Sequence, residues 1–154
     1  MNQEIKILIS VMSKMHLGDT YDPHSHPYYQ LDHIVRGGYE FNVNGRTFTA
    51  GVGDTVLIPA NCVHSFTEIG DETGYYFEVK FSSFSHGIME MCSDIDLLVS
   101  NDDFSGKLLK EIADESNNST PESEEIMTTY LYAILFKLTA NARREKNTPS
   151  KYIE

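Results

Sequence analysis

Residues 29–50 read YQLDHIVRGGYEFNVNGRTFTA, and this stretch decides the fold. Tyr29–Arg36 carries Tyr29, Leu31, Ile34 and Val35 among polar residues, a composition that suits a half-buried strand. Gly37-Gly38 breaks it. Tyr39–Val43 and Arg46–Ala50 then flank Asn44-Gly45. Asn-Gly between alternating segments predicts a tight hairpin, because a type I′ turn needs positive φ at both central positions. Working outward, Lys6–Lys14 is expected as a first strand. Asp22-Pro23-His24-Ser25-His26-Pro27 is an extended or turning connection, since a residue before proline avoids the α region. Gly51-Val52-Gly53-Asp54 is a second turn, and Thr55–Ile58 is a strand ended by Pro59. Val63–Ile69 and Gly74–Phe81 form another hairpin around Gly70-Asp71-Glu72-Thr73. A period of two from Lys6 to Phe81, with turn signals about every 8 to 12 residues, predicts an all-β barrel or sandwich.

After Phe81 the period changes. Phe104, Leu108, Leu109 and Ile112 recur at helical spacing, preceded by Asp102 and Asp103, which favour the helix dipole. Thr120-Pro121-Glu122 supplies an N-cap, a proline at the first helical position and an early acid. Met127, Leu131, Ile134 and Leu138 then make a stripe that Tyr130 and Leu135 widen, and Arg143, Arg144 and Lys146 suit a helix C-terminus. Residues 1–100 are expected to form the barrel, 101–146 a helical segment that caps it or dimerises, and 147–154 a polar tail or linker, all in one compact domain. A stripe this wide serves either to cover the barrel or to pair with a second copy.

The formal net charge of the 154 residues is -11. Between Glu90 and Glu125 there are 11 acidic and 2 basic residues, so the acidity is concentrated there. Such a segment repels phosphate backbones, and no nucleic-acid binding by this chain alone is expected. Cys62 and Cys92 have neither metal nor redox spacing and read as free thiols in a reducing cytosol. No signal-peptide pattern and no apolar run of about 18 residues is present, so the expectation is a cytoplasmic chain without a membrane span.

The chemistry is carried by His24, His26, Gln30 and His64. The first three have equal parity on an extended segment and share one face. His64, just past Pro59, can meet them in a rolled sheet. Three neutral imidazoles suit a divalent transition metal such as zinc, iron, nickel or copper, while the plain alternative is a set of rim histidines. The same face holds Tyr28, Asp32, Ile34 and Arg36, then Phe66 and Glu68, then Tyr76, Glu78 and Lys80. Buried polar groups need partners, and a polyhydroxylated or anionic ligand supplies them. The opposite face, with Tyr29, Leu31, Val35, Tyr75, Phe77, Val79 and Phe81, is apolar and needs cover. His33 has odd parity and is expected to face away from the cavity. His16 and His86 are expected at the surface, and Asp54 is expected to hold its turn rather than do chemistry.

Taken together, His24-Ser-His26-Pro-Tyr-Tyr-Gln30, Ile34-Val-Arg36-Gly-Gly, Asn44-Gly45, Gly53-Asp54-Thr-Val-Leu-Ile-Pro59 and His64-Ser-Phe66 resemble the cupin superfamily. More narrowly, the chain looks like the N-terminal effector-binding domain of AraC-type transcription regulators. The resemblance covers roughly residues 5–145. It implies a mainly β, cupin-type barrel (a double-stranded β-helix or jelly roll) followed by two C-terminal α-helices that dimerise. By the same resemblance Arg36 matches an arginine that contacts sugar in the arabinose-binding member, and Phe66 matches a ligand-contacting aromatic. Tyr76 and Glu78 fall where that member has a ligand-contacting His and Trp. His24, His26 and His64 match the metal ligands of metallo-cupins, with Gln30 where those proteins usually carry Glu. Ala60-Asn61 departs from the usual Pro-x-Gly pattern.

The expected function is that of an effector-binding and dimerisation domain of an AraC-type regulator, without catalysis. The expected partners are a sugar or small polar metabolite in the barrel and a second copy of the chain. The ligand-binding set is His24, His26, Gln30, Arg36, His64, Phe66, Tyr76 and Glu78. The alternative is a metal-dependent cupin enzyme, an isomerase or dioxygenase, with His24, His26 and His64 on the metal and Glu78, Tyr76 or Glu68 as acid or base.

Overall fold

The computed structural model describes residues 4–147. Among the described residues nine strands run in the order β1 (Ile5–Met15), β2 (Thr20–His24), β3 (Tyr29–Arg36), β4 (Tyr39–Val43), β5 (Arg46–Ala50), β6 (Thr55–Ile58), β7 (His64–Glu68), β8 (Gly74–Ser83) and β9 (Leu98–Val99). They pair antiparallel in two sheets. One has the order β1-β8-β3-β6-β9, the other β2-β7-β4-β5. The β4–β5 hairpin turns at Asn44 and Gly45, whose φ values are 53° and 86°, as the type I′ signal requires. Asp54 holds its turn as expected: its carboxylate accepts from the Gly51 amide at 2.9 Å and also from Asn101 at 3.2 Å.

Parity places the side chains. Between the sheets lie Ile34, Tyr39, Phe41, Val43, Val56, Ile58, Phe66 and Tyr76. The other face of the first sheet presents Leu31, Leu57, Phe77, Val79 and Phe81 to the helices. Burying one such side chain contributes about 1.5–3 kcal/mol. Five of them together contribute on the order of 10 kcal/mol, comparable with the whole stability of an ordinary domain. The helices are therefore integral cover for the barrel rather than an appendage.

Three helices supply that cover: α1 (His86–Asp94), α2 (Asp103–Glu115) and α3 (Ser123–Asn147). The two expected from periodicity are α2 and α3. α1 was not legible because it is short, contains Gly87 and buries only Ile88 and Cys92. Ser85 caps it, accepting from the Ile88 amide at 3.3 Å. α2 is capped by Asp102, which accepts from Ser105 at 3.2 Å. Its buried face is Ser105, Leu109 and Ile112, one position round from the expected stripe. The reason is the His33 ring, against which Gly106 packs so closely that a Cβ there would stand 2.4 Å from Nε2. Phe104 is consequently left outside, 5.8 Å beneath the Lys137 ammonium. α3 begins two residues later than Pro121 suggests, because Thr120 donates its amide to Ser123 Oγ at 3.0 Å and closes a separate turn. Leu131, Ile134, Leu135 and Leu138 bury in the core that α3 shares with α1, α2 and the sheet, where α3 packs mainly on α2 and α1 and reaches the barrel at β1. Beyond Asn147 the expected tail lies outside the described residues.

Candidate functional site

The three histidines come together at one end of the barrel. His24 ends β2 and His64 opens β7, directly across the ladder. His26 lies in the proline-bounded connection, where its carbonyl accepts from the Asn61 amide at 2.8 Å. The His24 and His64 rings are 4.2 Å apart between centroids, and His26 and His64 4.7 Å. One nitrogen from each ring lies within 4.8 Å of the others.

All three rings are oriented the same way by backbone. His24 Nδ1 donates to the Asp22 carbonyl at 2.7 Å, His26 Nδ1 to Tyr28 at 2.8 Å, and His64 Nδ1 to Cys62 at 2.9 Å. An Nδ1–H tautomer leaves Nε2 as a lone pair. His64 Nε2 is buried without any hydrogen-bond partner. Burial, and less strongly the neighbouring His24, His26 and Lys80, hold the His64 ring below the ordinary imidazole pKa, so it stays neutral.

Below the histidines runs a polar chain. Gln30 donates its amide nitrogen to both oxygens of Asp32, at 3.1 and 3.0 Å. That orientation turns Gln30 Oε1 toward His26 Nε2, 3.2 Å away. Asp32 is fully enclosed, and burial, reinforced by Glu78, raises its carboxyl well above the usual range. Glu78 accepts from Ser13 Oγ at 3.0 Å and pairs with Lys80 at 3.0 Å. Burial, helped by Asp32 and Glu78, also pushes the Tyr76 hydroxyl up, so it remains a donor.

A cavity of about 80 Å³ is lined by Tyr21, His24, Gln30, Phe66, Tyr76, Glu78 and Lys80. Seven of the eight expected ligand-binding residues thus stand in or beside one polar space. Arg36 stands apart. A bulge between Ile34 and Arg36 puts Arg36 opposite Tyr75 rather than Gly74, which reverses parity beyond Ile34. The guanidinium lies outside, paired with Glu72 and 5.9 Å over the Tyr75 ring. Glu68 is at the far end of β7 from His64, with Gly70 donating to its Oε1 at 2.5 Å. Tyr21 was missed. It stacks on Phe66 at 4.8 Å, but a register shift between Tyr21 and His24 hides it from parity. His33 faces α2, as its parity implies, and contacts Thr55 Oγ1 at 2.8 Å.

The family described as the AraC-like ligand binding domain matches residues 7–135. The chain belongs to that family. No curated protein sequence matches it. Among solved structures it is similar to YhaK from Escherichia coli, at 13% identity and a TM-score of 0.51, over 63% of this chain and 42% of that one. That likeness is one of fold. The chain is also similar to the cupin domain of Schizosaccharomyces pombe Cnp3, at 17% identity and a TM-score of 0.46, over 53% of this chain and 66% of that one. A predicted oxalate decarboxylase from Thermotoga maritima gives 21% identity and 0.47, over 49% and 66%. The AraC-like ligand binding domain therefore spans just under two thirds of the length of the Cnp3 domain and of the decarboxylase, and less than half of YhaK. Among the described residues no helix is long and apolar enough to cross a membrane.

In this AraC-like domain the histidine cluster fits a divalent metal chemically. Its imidazoles are tied at Nδ1 to backbone carbonyls, the arrangement that steadies metal-binding histidine. His26 Nε2 and Gln30 Oε1 stand 3.2 Å apart. Neighbouring ligands around one cation stand about 3.0–3.4 Å apart for bonds near 2.1 Å.

Proposed function

We propose that this chain is the effector-binding and dimerisation unit of an AraC-type transcription regulator, binding a small hydroxylated metabolite inside the barrel and catalysing nothing. One observation carries the reading: His64 Nε2 is a buried acceptor without a partner, facing His24 and His26. Leaving such a group unsatisfied costs about 1–3 kcal/mol. A ligand with converging hydroxyls offsets that cost. Its donors meet the three Nε2 atoms and Glu78, and its acceptors meet Tyr76 and Lys80. The cavity is well below the roughly 300–1,000 Å³ of ordinary ligand pockets. A triose-sized polyol or hydroxy acid suits it, and a full sugar needs the exposed rim residues Tyr21 and His24 to move aside. Effector binding acts on regulation by favouring one arrangement of barrel and helices.

Dimerisation belongs to the same reading. With the wide stripe of α3 buried in the core shared with α1, α2 and the sheet, Phe136 remains 56% exposed and stacks with Tyr132 at 5.9 Å. Together with the exposed Ile126 and Ala140 it forms a second stripe suited to the same helix of another copy. We read the chain as cytoplasmic, with Cys62 and Cys92 as free thiols.

The test is a thermal-shift panel of polyols, sugars and hydroxy acids at millimolar concentration, with sedimentation of wild type and Phe136→Asp. The reading expects at least one stabilising compound and a dimer that Phe136→Asp dissociates. A panel without a stabiliser, or a monomeric wild type, contradicts it.

The closeness of His26 Nε2 and Gln30 Oε1 favours a second reading, a metal-dependent cupin enzyme. His24, His26 and His64 would hold the metal, with Gln30 Oε1 as an oxygen ligand. Bound there, the metal supplies Lewis acidity or oxygen activation. Asp32, through Gln30, fixes the amide orientation, and Glu78 is the carboxylate placed to accept a proton in the cavity. Cobalt(II) titration decides: visible absorption bands at one equivalent, lost in His64→Ala, favour this reading.

A further inference from the structure

A recess larger than the barrel cavity lies outside the barrel. A groove of about 440 Å³ lies between the barrel end and the helical layer, bounded by the β4–β5 turn, the β6–β7 loop, α1 and the end of α3. Its volume falls within the range of ordinary small-molecule sites. Met89, Ile95, Leu97 and the Tyr29 ring supply its apolar lining. Its rim carries Arg46 and Lys146. Neither has an ion-pair partner among the described residues. Of the two acids at the rim, Asp94 is already engaged by Arg143, at 3.0 and 2.8 Å. Asp96 is left against two unpaired cations. The groove thus offers two cations free to meet an anionic group, in a chain of net charge -11.

We propose that this groove is a second binding site, for an amphipathic carboxylate whose apolar body lies against Met89, Ile95 and Leu97 and whose carboxylate meets Arg46 and Lys146. The site stands independently of the barrel reading. It also has a physical route to the barrel. Cys62 lines the groove, and its carbonyl is the acceptor that orients His64 at 2.9 Å. A ligand that moves the β6–β7 loop therefore turns the His64 ring. Because the groove touches barrel and helices at once, its occupant also biases how the two are arranged.

Octanoate is the probe, with 1-octanol and octylammonium as neutral and cationic controls, followed by calorimetry on the whole chain. Octanoate is expected to bind saturably, octanol more weakly and octylammonium not at all. Arg46→Glu and Lys146→Glu lie at exposed positions, and each is expected to weaken octanoate by about five- to tenfold. Ala60→Trp, which fills the groove from its loop side, abolishes binding, and circular dichroism checks that the fold is kept. Tyr76→Phe separates the two sites: Tyr76 lines the barrel cavity and not the groove, so this change leaves octanoate affinity unchanged even if the barrel reading fails. The proposal is overturned by absence of saturable octanoate binding, by equal affinity in both charge reversals, or by loss of binding in Tyr76→Phe alone.

Discussion

The His64 ring donates from Nδ1 to the carbonyl of Cys62, two residues away, at 2.9 Å. This short-range bond fixes the tautomer, and the tautomer fixes what the barrel offers a ligand. With Nδ1 satisfied by backbone, Nε2 is left as a buried lone pair. His24 and His26 repeat the arrangement with Asp22 and Tyr28. Three local backbone contacts thus aim three acceptors at one place, and folding alone gives His64 Nε2 nothing to accept from.

Replacing His64 by an apolar side chain should therefore separate stability from binding. His64→Leu removes an unsatisfied buried acceptor, so its unfolding free energy should equal or exceed that of wild type to within about 1 kcal/mol. Its response to any barrel ligand should vanish. Urea unfolding with and without the stabilising compound measures both. A large loss of stability in the ligand-free variant would show that Nε2 has a partner after all.

Gly106 predicts a helix substitution that fails despite better helix propensity. Alanine in a helix is favoured over glycine by about 1 kcal/mol. Here its Cβ would stand 2.4 Å from Nε2 of the buried His33. Gly106→Ala should destabilise by about 1–3 kcal/mol, as overpacking does. In a His33→Ala background the obstruction is gone, and the same change should be neutral or stabilising. The coupling in that double-mutant cycle is the readout.

His33 also predicts a pH dependence. Burial holds its pKa below the ordinary value of 6.5, opposed by Asp102, Asp103 and Asp54. The folded chain binds this proton less tightly than the unfolded chain. Its contribution to stability is therefore intact above pH 6.5 and lost as pH falls from there toward the folded value. Thermal midpoints measured downward from pH 8 should fall below pH 6.5, less steeply in His33→Gln. His64, also lowered, leaves part of the slope. Equal slopes in the two proteins would contradict the assignment.

The sheet was legible because its signals are local. β3, β4, β5 and β6 fall on the bounds that alternation and turn residues set, since a two-residue period and Asn44-Gly45 need no knowledge of the rest. The histidine cluster was legible for the same reason: equal parity puts His24, His26 and Gln30 on one face. What escaped depends on distant contacts. The bulge beside Arg36 answers to pairing with β8 and reverses parity without a mark in β3 itself. α2 is rotated because His33, far away in sequence, needs a residue without Cβ. The groove under α1 could not be read at all, since α1 carries too few apolar positions to announce itself.

The central claim is that the barrel ligand engages the Nε2 atoms of His24, His26 and His64. Ring-nitrogen NMR of the three imidazoles, before and after adding the stabilising compound, tests it most directly. The account predicts Nδ1–H tautomers in the free chain at neutral pH, with the Nε2 resonances of all three moving on binding while His33 stays in place. Nε2–H tautomers in the free chain, or Nε2 resonances unmoved at ligand saturation, would contradict it.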